Sequence, residues 1–400
     1  MRCVSIDTNL GGTARAFAPV LKKFRIGVFL FVRLLYPLMK TNSFKKREVK
    51  KMKKKLITGI MAAMMVLGLT ACSDTSGSTV SNPANSDSKT YKVGIVKYVD
   101  DASLDQIEEN IQKELDAKGQ ELSVKFDYED YTFSGQADAT TINSIVAELI
   151  SDEVDVIIPI ATPTAQICQS ATEDNKIPVV FAAVSDPVGA KLVKSMDAPG
   201  ANITGTSDAL NTDAMFDMMF AVNPDIKKVG LLYSKSEDAS KQPIEDAKKY
   251  LDSKGVAYVE KTGTDTNEVT SAVDALVAEN VDVVFTPTDN TIMNAELTIY
   301  EKLTEAKIPH FAGADSFALN GAFLGFGVDY AGLGKETADM AVEILTGADP
   351  ASTAVKTFDN GIATINTETA EKVGLDLAQV KEAIKSFVTS INETTTKESF

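Results

Sequence analysis

From about residue 90 onward, short runs of β-branched and aliphatic residues alternate with longer stretches whose apolar positions recur every three to four residues. Lys92–Lys97 is a compact strand pattern, and Leu104, Ile107, Ile111 and Leu115 then mark an amphipathic helix expected to end near Gly119. A strand over Leu122–Tyr128 follows, then a helix carrying Ile142, Ile145, Val146 and Leu149, and strands at Val154–Ile160 and Val179–Ala183. The second half repeats the rhythm. Helices are predicted at Asp213–Ala221, Ser240–Ser253, Val269–Glu279, Thr291–Ala306 and Tyr330–Leu345. Strands are predicted at Val229–Tyr233, Val256–Val259, Val281–Phe285, Pro309–Ala312 and Gly321–Val328. Val355–Phe358, Gly361–Ile365 and Glu371–Phe387 close the chain. Such alternation predicts βαβ units and parallel sheets.

The pattern is also written twice. Lys92-Val93-Gly94-Ile95-Val96 returns as Lys228-Val229-Gly230-Leu231-Leu232. Thr162-Pro163-Thr164, after an apolar strand, returns as Thr286-Pro287-Thr288. Lys176-Ile177-Pro178 returns as Lys307-Ile308-Pro309. The offsets are 136, 124 and 131 residues, in the same order along the chain. We therefore expect an α/β protein of two similar lobes, each a parallel sheet flanked by helices. The expected division is 91–205 for the first lobe, 206–320 for the second, and 321–400 as returning segments that complete both. A chain that crosses more than once makes a multi-strand hinge.

Charge separates the beginning from the rest. Residues 1–71 hold 15 Lys and Arg against two acids, and the remainder holds 25 against 54. That acidic balance argues against nucleic acid and against an anionic membrane surface as direct partners. Within the basic part, Met52-Lys53-Lys54-Lys55 precedes an apolar run from Leu56 to Gly68 that is short for a membrane span, and Leu69-Thr70-Ala71-Cys72 closes it. This ending resembles a bacterial lipobox, in which the sulfur of Cys72 takes a diacylglyceryl group and anchors the chain at a membrane. Residues 52–71 are then a lipoprotein signal peptide, 72–90 a polar tether, and 1–51 a leader before the true translation start at Met52. With Cys3 and Cys72 set aside, Cys168 is alone and reads as a buried, inert thiol.

In parallel α/β sheets, ligands meet the carboxyl ends of the strands. That rule selects the loops Tyr98–Ser103, Ala161–Ala165, Val184–Pro187 and Gly205–Asp208 in the first half. In the second half it selects Ser234-Lys235-Ser236, Asp289-Asn290 and Asp315-Ser316. Pro163 at a helix start leaves no amide wasted, and Thr162 and Thr164 beside it suit either a helix cap or an anion. Ser185-Asp186-Pro187 reads as a binding loop or a simple turn. By offset, Asp289-Asn290 occupies the place of Ala165-Gln166, so the second lobe offers a carboxylate where the first offers hydroxyls. Asp289 and Asp315 suit a cation or an ammonium. His310 lies in an apolar strand and reads as structural. No Gly-rich phosphate loop, HExxH pair or CxxC is present, and neither a catalytic residue, a metal nor a cofactor is predicted.

Taken together, Lys92–Val96, Ala161-Thr162-Pro163-Thr164-Ala165, Pro178–Ala190, Asn202-Ile203-Thr204-Gly205 and Pro287-Thr288-Asp289-Asn290-Thr291 resemble the substrate-binding lipoproteins of ABC transporters. In particular they resemble the tryptophan/tyrosine uptake family. The resemblance implies a type I periplasmic-binding-protein fold, a small-molecule solute held between the lobes, and a permease with its ATPase as partners. It also implies a monomeric soluble part. For an amino-acid solute, Thr162, Thr164 and Ser185 would meet the carboxylate. Asp289 and Asp315, with Asn290 beside them, would meet the ammonium, and Tyr98 and Tyr233 would pack on the side chain. A sensing module of the same fold with a signalling partner, or a nucleoside or sugar as solute, remains open at this point.

Overall fold

The structure, a computed structural model, describes residues 89–397. The leader, the signal peptide, nearly all of the tether and Cys72 lie outside the described residues.

Two seven-stranded sheets organise the chain. The first lobe begins with β1 (Thr90–Lys97), α1 (Ala102–Leu122), β2 (Lys125–Asp127), β3 (Thr132–Ser134), α2 (Ala139–Ser151), β4 (Val156–Ile160), α3 (Thr162–Ala171), β5 (Val179–Phe181) and β6 (Ile203–Ser207). The second runs through α4 (Thr212–Val222), β7 (Lys228–Tyr233), α5 (Asp238–Lys254), β8 (Ala257–Thr262), α6 (Thr266–Ala278), β9 (Val283–Thr286), α7 (Asn290–Glu305), β10 (His310–Ala312), α8 (Asp315–Leu319) and β11 (Leu324–Gly327). The chain then returns through α9 (Tyr330–Leu345) and β12 (Lys356–Thr357) in the first lobe. It ends with β13 (Ile362–Asn366), α10 (Thr367–Val373), α11 (Leu377–Ile384) and β14 (Ser390–Thr394) in the second.

The first sheet has the order β12-β6-β5-β4-β1-β2, with β3 also on β1, and all its pairs are parallel. The second has the order β14-β13-β11-β10-β9-β7-β8 and one antiparallel pair, β11 with β13. Three segments therefore cross between lobes: after β6, after β11 and after β12. This is the two-lobed architecture of the type I periplasmic-binding-protein fold.

Apolar periodicity explains the packing. Ile107, Ile111 and Leu115 lie at i, i+4 and i+8 on one face of α1 and are fully buried. Each is worth about 1.5–3 kcal/mol relative to exposure. They help to pack α1 against α9, and Gly334 permits that closeness, since a Cβ there would stand 2.5 Å from the Ile107 carbonyl oxygen.

Several elements differ from expectation, among them α8, which the sequence pattern does not predict, and the closing segment Glu371–Phe387, which falls in two helices, α10 and α11. Helix α1 does not stop at Gly119 but runs to Leu122, capped by Ser123 in the left-handed region. Gly119 instead makes room for the returning chain: a Cβ there would meet the Val124 carbonyl at 3.1 Å and the Phe126 ring at 3.6 Å. The strand expected at Leu122–Tyr128 is accordingly shortened to β2, and β3 is a further short strand beyond it. Another difference is β14, which has no strong pattern because it is a largely exposed edge strand of Ser, Asn, Glu and Thr around Ile391.

Candidate functional site

Strand ends from both lobes and two of the three crossings meet in one cleft. Asp101, Thr162 and Ser185 line it from the first lobe, and Thr288, Asp289, Asn290 and Ser316 from the second. Asp208 and Tyr330, from the crossings after β6 and β11, complete it. The cavity left between the lobes is small, about 30 Å³, and partly open to solvent. The lobes are closed upon one another. Ser103 Oγ donates to Asp315 across the cleft and accepts from the Ser316 amide at 3.3 Å. Further out, Gln166 Nε2 of α3 donates to Asp238 Oδ2 of α5 at 2.6 Å.

The helix starts divide in an informative way. Among the described residues, eight helices are capped by an Asp or Asn side chain. Three are not: α3, α5 and α8. All three begin at the cleft, where Ala161, Ala239 and Ala314 belong to the lining. An uncapped helix start presents free amide donors and a partial positive charge. At α3 the cap position is Ala161, held at φ 79°, and Ala183, at the end of β5, has φ 52°. Left-handed backbone is unfavourable for a non-glycine residue, and these two line the cleft.

Opposite these donors stand buried carboxylates. Asp289 is 1% exposed and caps α7. Its Oδ1 accepts from the Ile292 amide at 2.9 Å, and its Oδ2 from the Ser234 amide at 2.7 Å and Ser240 Oγ at 2.6 Å. Glu237, buried next to it, accepts from Asn290 Nδ2 at 3.3 Å and Thr291 Oγ1 at 3.4 Å. Burial pushes both acids up, and the Asp289 charge raises Glu237 further.

Around the crossings lies a second group. Asp208 accepts from Ser185 Oγ at 3.0 Å, and burial raises it to about 6. Asp101 caps α1 through Oδ1, which accepts from the Ser103 and Leu104 amides at 2.9 and 3.1 Å. Its Oδ2 is buried without a hydrogen-bond partner. Burial, with the charge of Asp315 adding to it, raises Asp101 to about 7. Asp315 is raised by burial too. The hydroxyl of Tyr330 is pushed up first by burial and then by Asp208, Asp315 and Asp101. Among the described residues, no Lys, Arg or His lines the cleft, and no group of His, Cys, Asp or Glu is arranged to hold a metal.

Of the residues expected from sequence, Thr162, Ser185, Asp289 and Asn290 line the cleft. Asp315 and Ser234 stand behind it, Asp315 holding Ser103 and the Ser234 amide holding Asp289. Thr164 is fully buried in α3, and its hydroxyl has no partner. Tyr98 is half-buried, and burial with the charges of Glu237 and Asp289 raises it to about 12. Asp186 closes a turn on the Gly189 amide, and Tyr233 donates to Glu260 at 2.8 Å, so neither reaches the lining. Sequence reasoning did not name Asp101, Asp208, Glu237 or Tyr330. Asp101 and Asp208 lay inside loops that the strand-end rule had selected. His310 bridges Glu296 and Thr286 in the core, and Cys168 is buried with its thiol pushed up by burial.

The family described as ABC transporter substrate binding protein matches residues 92–387. This chain belongs to that family. It is 34% identical over 330 residues to a tyrosine-binding protein of Clostridioides difficile, covering 82% of this chain and 93% of that protein. A Streptococcus pneumonia ABC domain solved in complex with L-Trp superposes with a TM-score of 0.69 at 32% identity, over 76% of this chain and all of that one. The ligand-free, open structure of a Clostridium difficile substrate binding protein with adhesive properties gives 0.58, also at 32% identity, over 77% of this chain and all of that one. At equal identity the closed lobes seen here thus superpose better on the liganded structure than on the open one. As a member of the family the chain is the extracytoplasmic solute receptor of an ABC importer, with a permease and ATPase as partners, and its task is capture rather than turnover. No helix among the described residues is long and apolar enough to cross a membrane.

Proposed function

We propose that the solute is an aromatic amino acid and that Cys72 carries the lipid that holds this receptor at the membrane. The observation that carries the solute reading is the pairing, within one closed cleft, of an uncapped helix start with buried carboxylates. A zwitterion needs both, because burying either charge without a partner costs several kcal/mol. The start of α3, with Thr162, receives the carboxylate, and Ser185 adds a hydroxyl beside it. The acids receive the ammonium. Leu104, Met293 and Phe317 of the lining offer an apolar wall for a ring. Asn290 and Asp289 form the second-lobe wall, which Ser234 and Ser240 hold in place. The soluble part acts as a monomer.

The test is mass spectrometry of the solute released on denaturing the purified protein, followed by calorimetry against the twenty amino acids. Tyrosine or tryptophan should be released and should rebind. Release of a sugar or nucleoside, with no amino acid binding, overturns the proposal.

A further inference from the structure

We propose that Asp101 is the seat of the solute's ammonium, and that the ammonium enters by displacing a proton from Asp101. This deepens the amino-acid reading above and rests on it. Asp289 is the acid that sequence makes most prominent, yet its two oxygens already accept three hydrogen bonds from the protein. Asp101 differs. One oxygen is used to cap α1, while the other makes no hydrogen bond of ordinary geometry, although the Ser316 hydroxyl is nearby and the residue is only 2% exposed and lines the cleft. A carboxylate oxygen left bare in a closed site is costly unless a donor arrives, and an ammonium supplies up to three.

The surroundings define the charge the site can take. Asp315 of α8 acts on Asp101 directly, and both acids, with Asp208 of the first crossing, surround the hydroxyl of Tyr330 of α9. Among the described residues, no cationic side chain lines the cleft. Burial raises all three acids, and the charge of Asp315 raises Asp101 further. An arriving ammonium supplies the missing positive charge, the carboxylate it meets ionises, and one proton leaves to solvent. Charge balances: one cation enters and one proton departs. Asp101 and Asp208 come from the first lobe and its crossing, and Asp315 from the second, so the exchange is available only when the lobes shut.

Calorimetry decides the matter with the full soluble receptor and tyrosine or tryptophan as probe, from pH 5.5 to 7.5 and in buffers of different ionisation enthalpy. Wild type should release a proton on binding near pH 7 and bind about tenfold more weakly at pH 5.5 than at 7.5. Asp101→Asn keeps a capping oxygen for α1 and removes the charge. It should bind at least about tenfold more weakly at pH 7.5, with a flattened pH profile, less proton release and little change in thermal unfolding. Wild-type affinity in Asp101→Asn, or weaker binding with an unaltered pH profile, overturns the assignment. Should the variant not fold, the wild-type titration decides alone, since binding without proton release between pH 5.5 and 7.5 excludes the exchange. Amino-acid binding with either negative result leaves the solute reading intact. Absence of any amino-acid binding removes both.

Discussion

The two copies of Thr-Pro-Thr carry the same letters and do opposite things. In the first lobe, Thr162 is the first residue of α3, Pro163 lies inside the helix, and the cap position is Ala161, which offers no side-chain acceptor. In the second, Thr286 is still the end of β9, Pro287 and Thr288 form a connection, and Asp289 caps α7 with its own oxygen. By sequence offset Asp289 matches Ala165. By position at the helix start it matches Ala161. The shift means that one lobe presents free amide donors and the other a carboxylate whose own helix start is satisfied. The duplicated pattern thus produced two walls of unlike charge from the same three letters.

Making the first wall resemble the second should have the largest effect. Ala161→Asp places a carboxylate where the solute's carboxylate is proposed to sit. Binding of tyrosine or tryptophan should fall at least about a hundredfold, roughly 2.7 kcal/mol, in calorimetry. Retained affinity would remove the α3 start from the site. The converse change breaks the second wall: Asp289→Ala strips α7 of its cap and should cost about 1–2 kcal/mol in denaturant unfolding. The gentler Asp289→Asn should bind within a few-fold of wild type. A tenfold or greater loss in Asp289→Asn, without loss of stability, would move the ammonium to the second lobe.

The smallest effect concerns closure itself. Asp101 and Asp208, raised to about 7 and about 6 in the closed cleft, titrate closer to ordinary carboxylates once the lobes part. A group whose pKa is raised in one state favours that state at low pH, and the preference is lost as pH rises through the raised value. The ligand-free receptor should therefore close more readily at pH 5 than at pH 8. Small-angle scattering should show its radius of gyration growing over that interval. Saturating ligand should hold the radius at the smaller value at pH 8. A ligand-free radius indifferent to pH would show that these acids do not bias the hinge.

How much of this was legible in the chain follows from the range of each interaction. Periodicity is local, so β1, β4, β7, β9 and the helices between them could be read directly, and the echoes at similar offsets disclosed two lobes. The strand-end rule reached the loops containing Asp101, Thr162, Ser185, Asp208 and Asp289, because topology alone sets which ends of a parallel sheet face a crevice. Local pattern failed where a distant partner decides. Gly119 reads as a helix stop until Val124 and Phe126 fold back on it, and β14 is a strand because β13 offers it an edge. The charge of the cleft belongs to that second kind. Asp101, Asp208, Asp315 and Tyr330 are far apart in sequence, and each is an unremarkable loop or helix-start residue by itself. Only the closed tertiary structure removes their water and brings them together, and desolvation is what sets those ordinary acids apart as the proposed site for a cation.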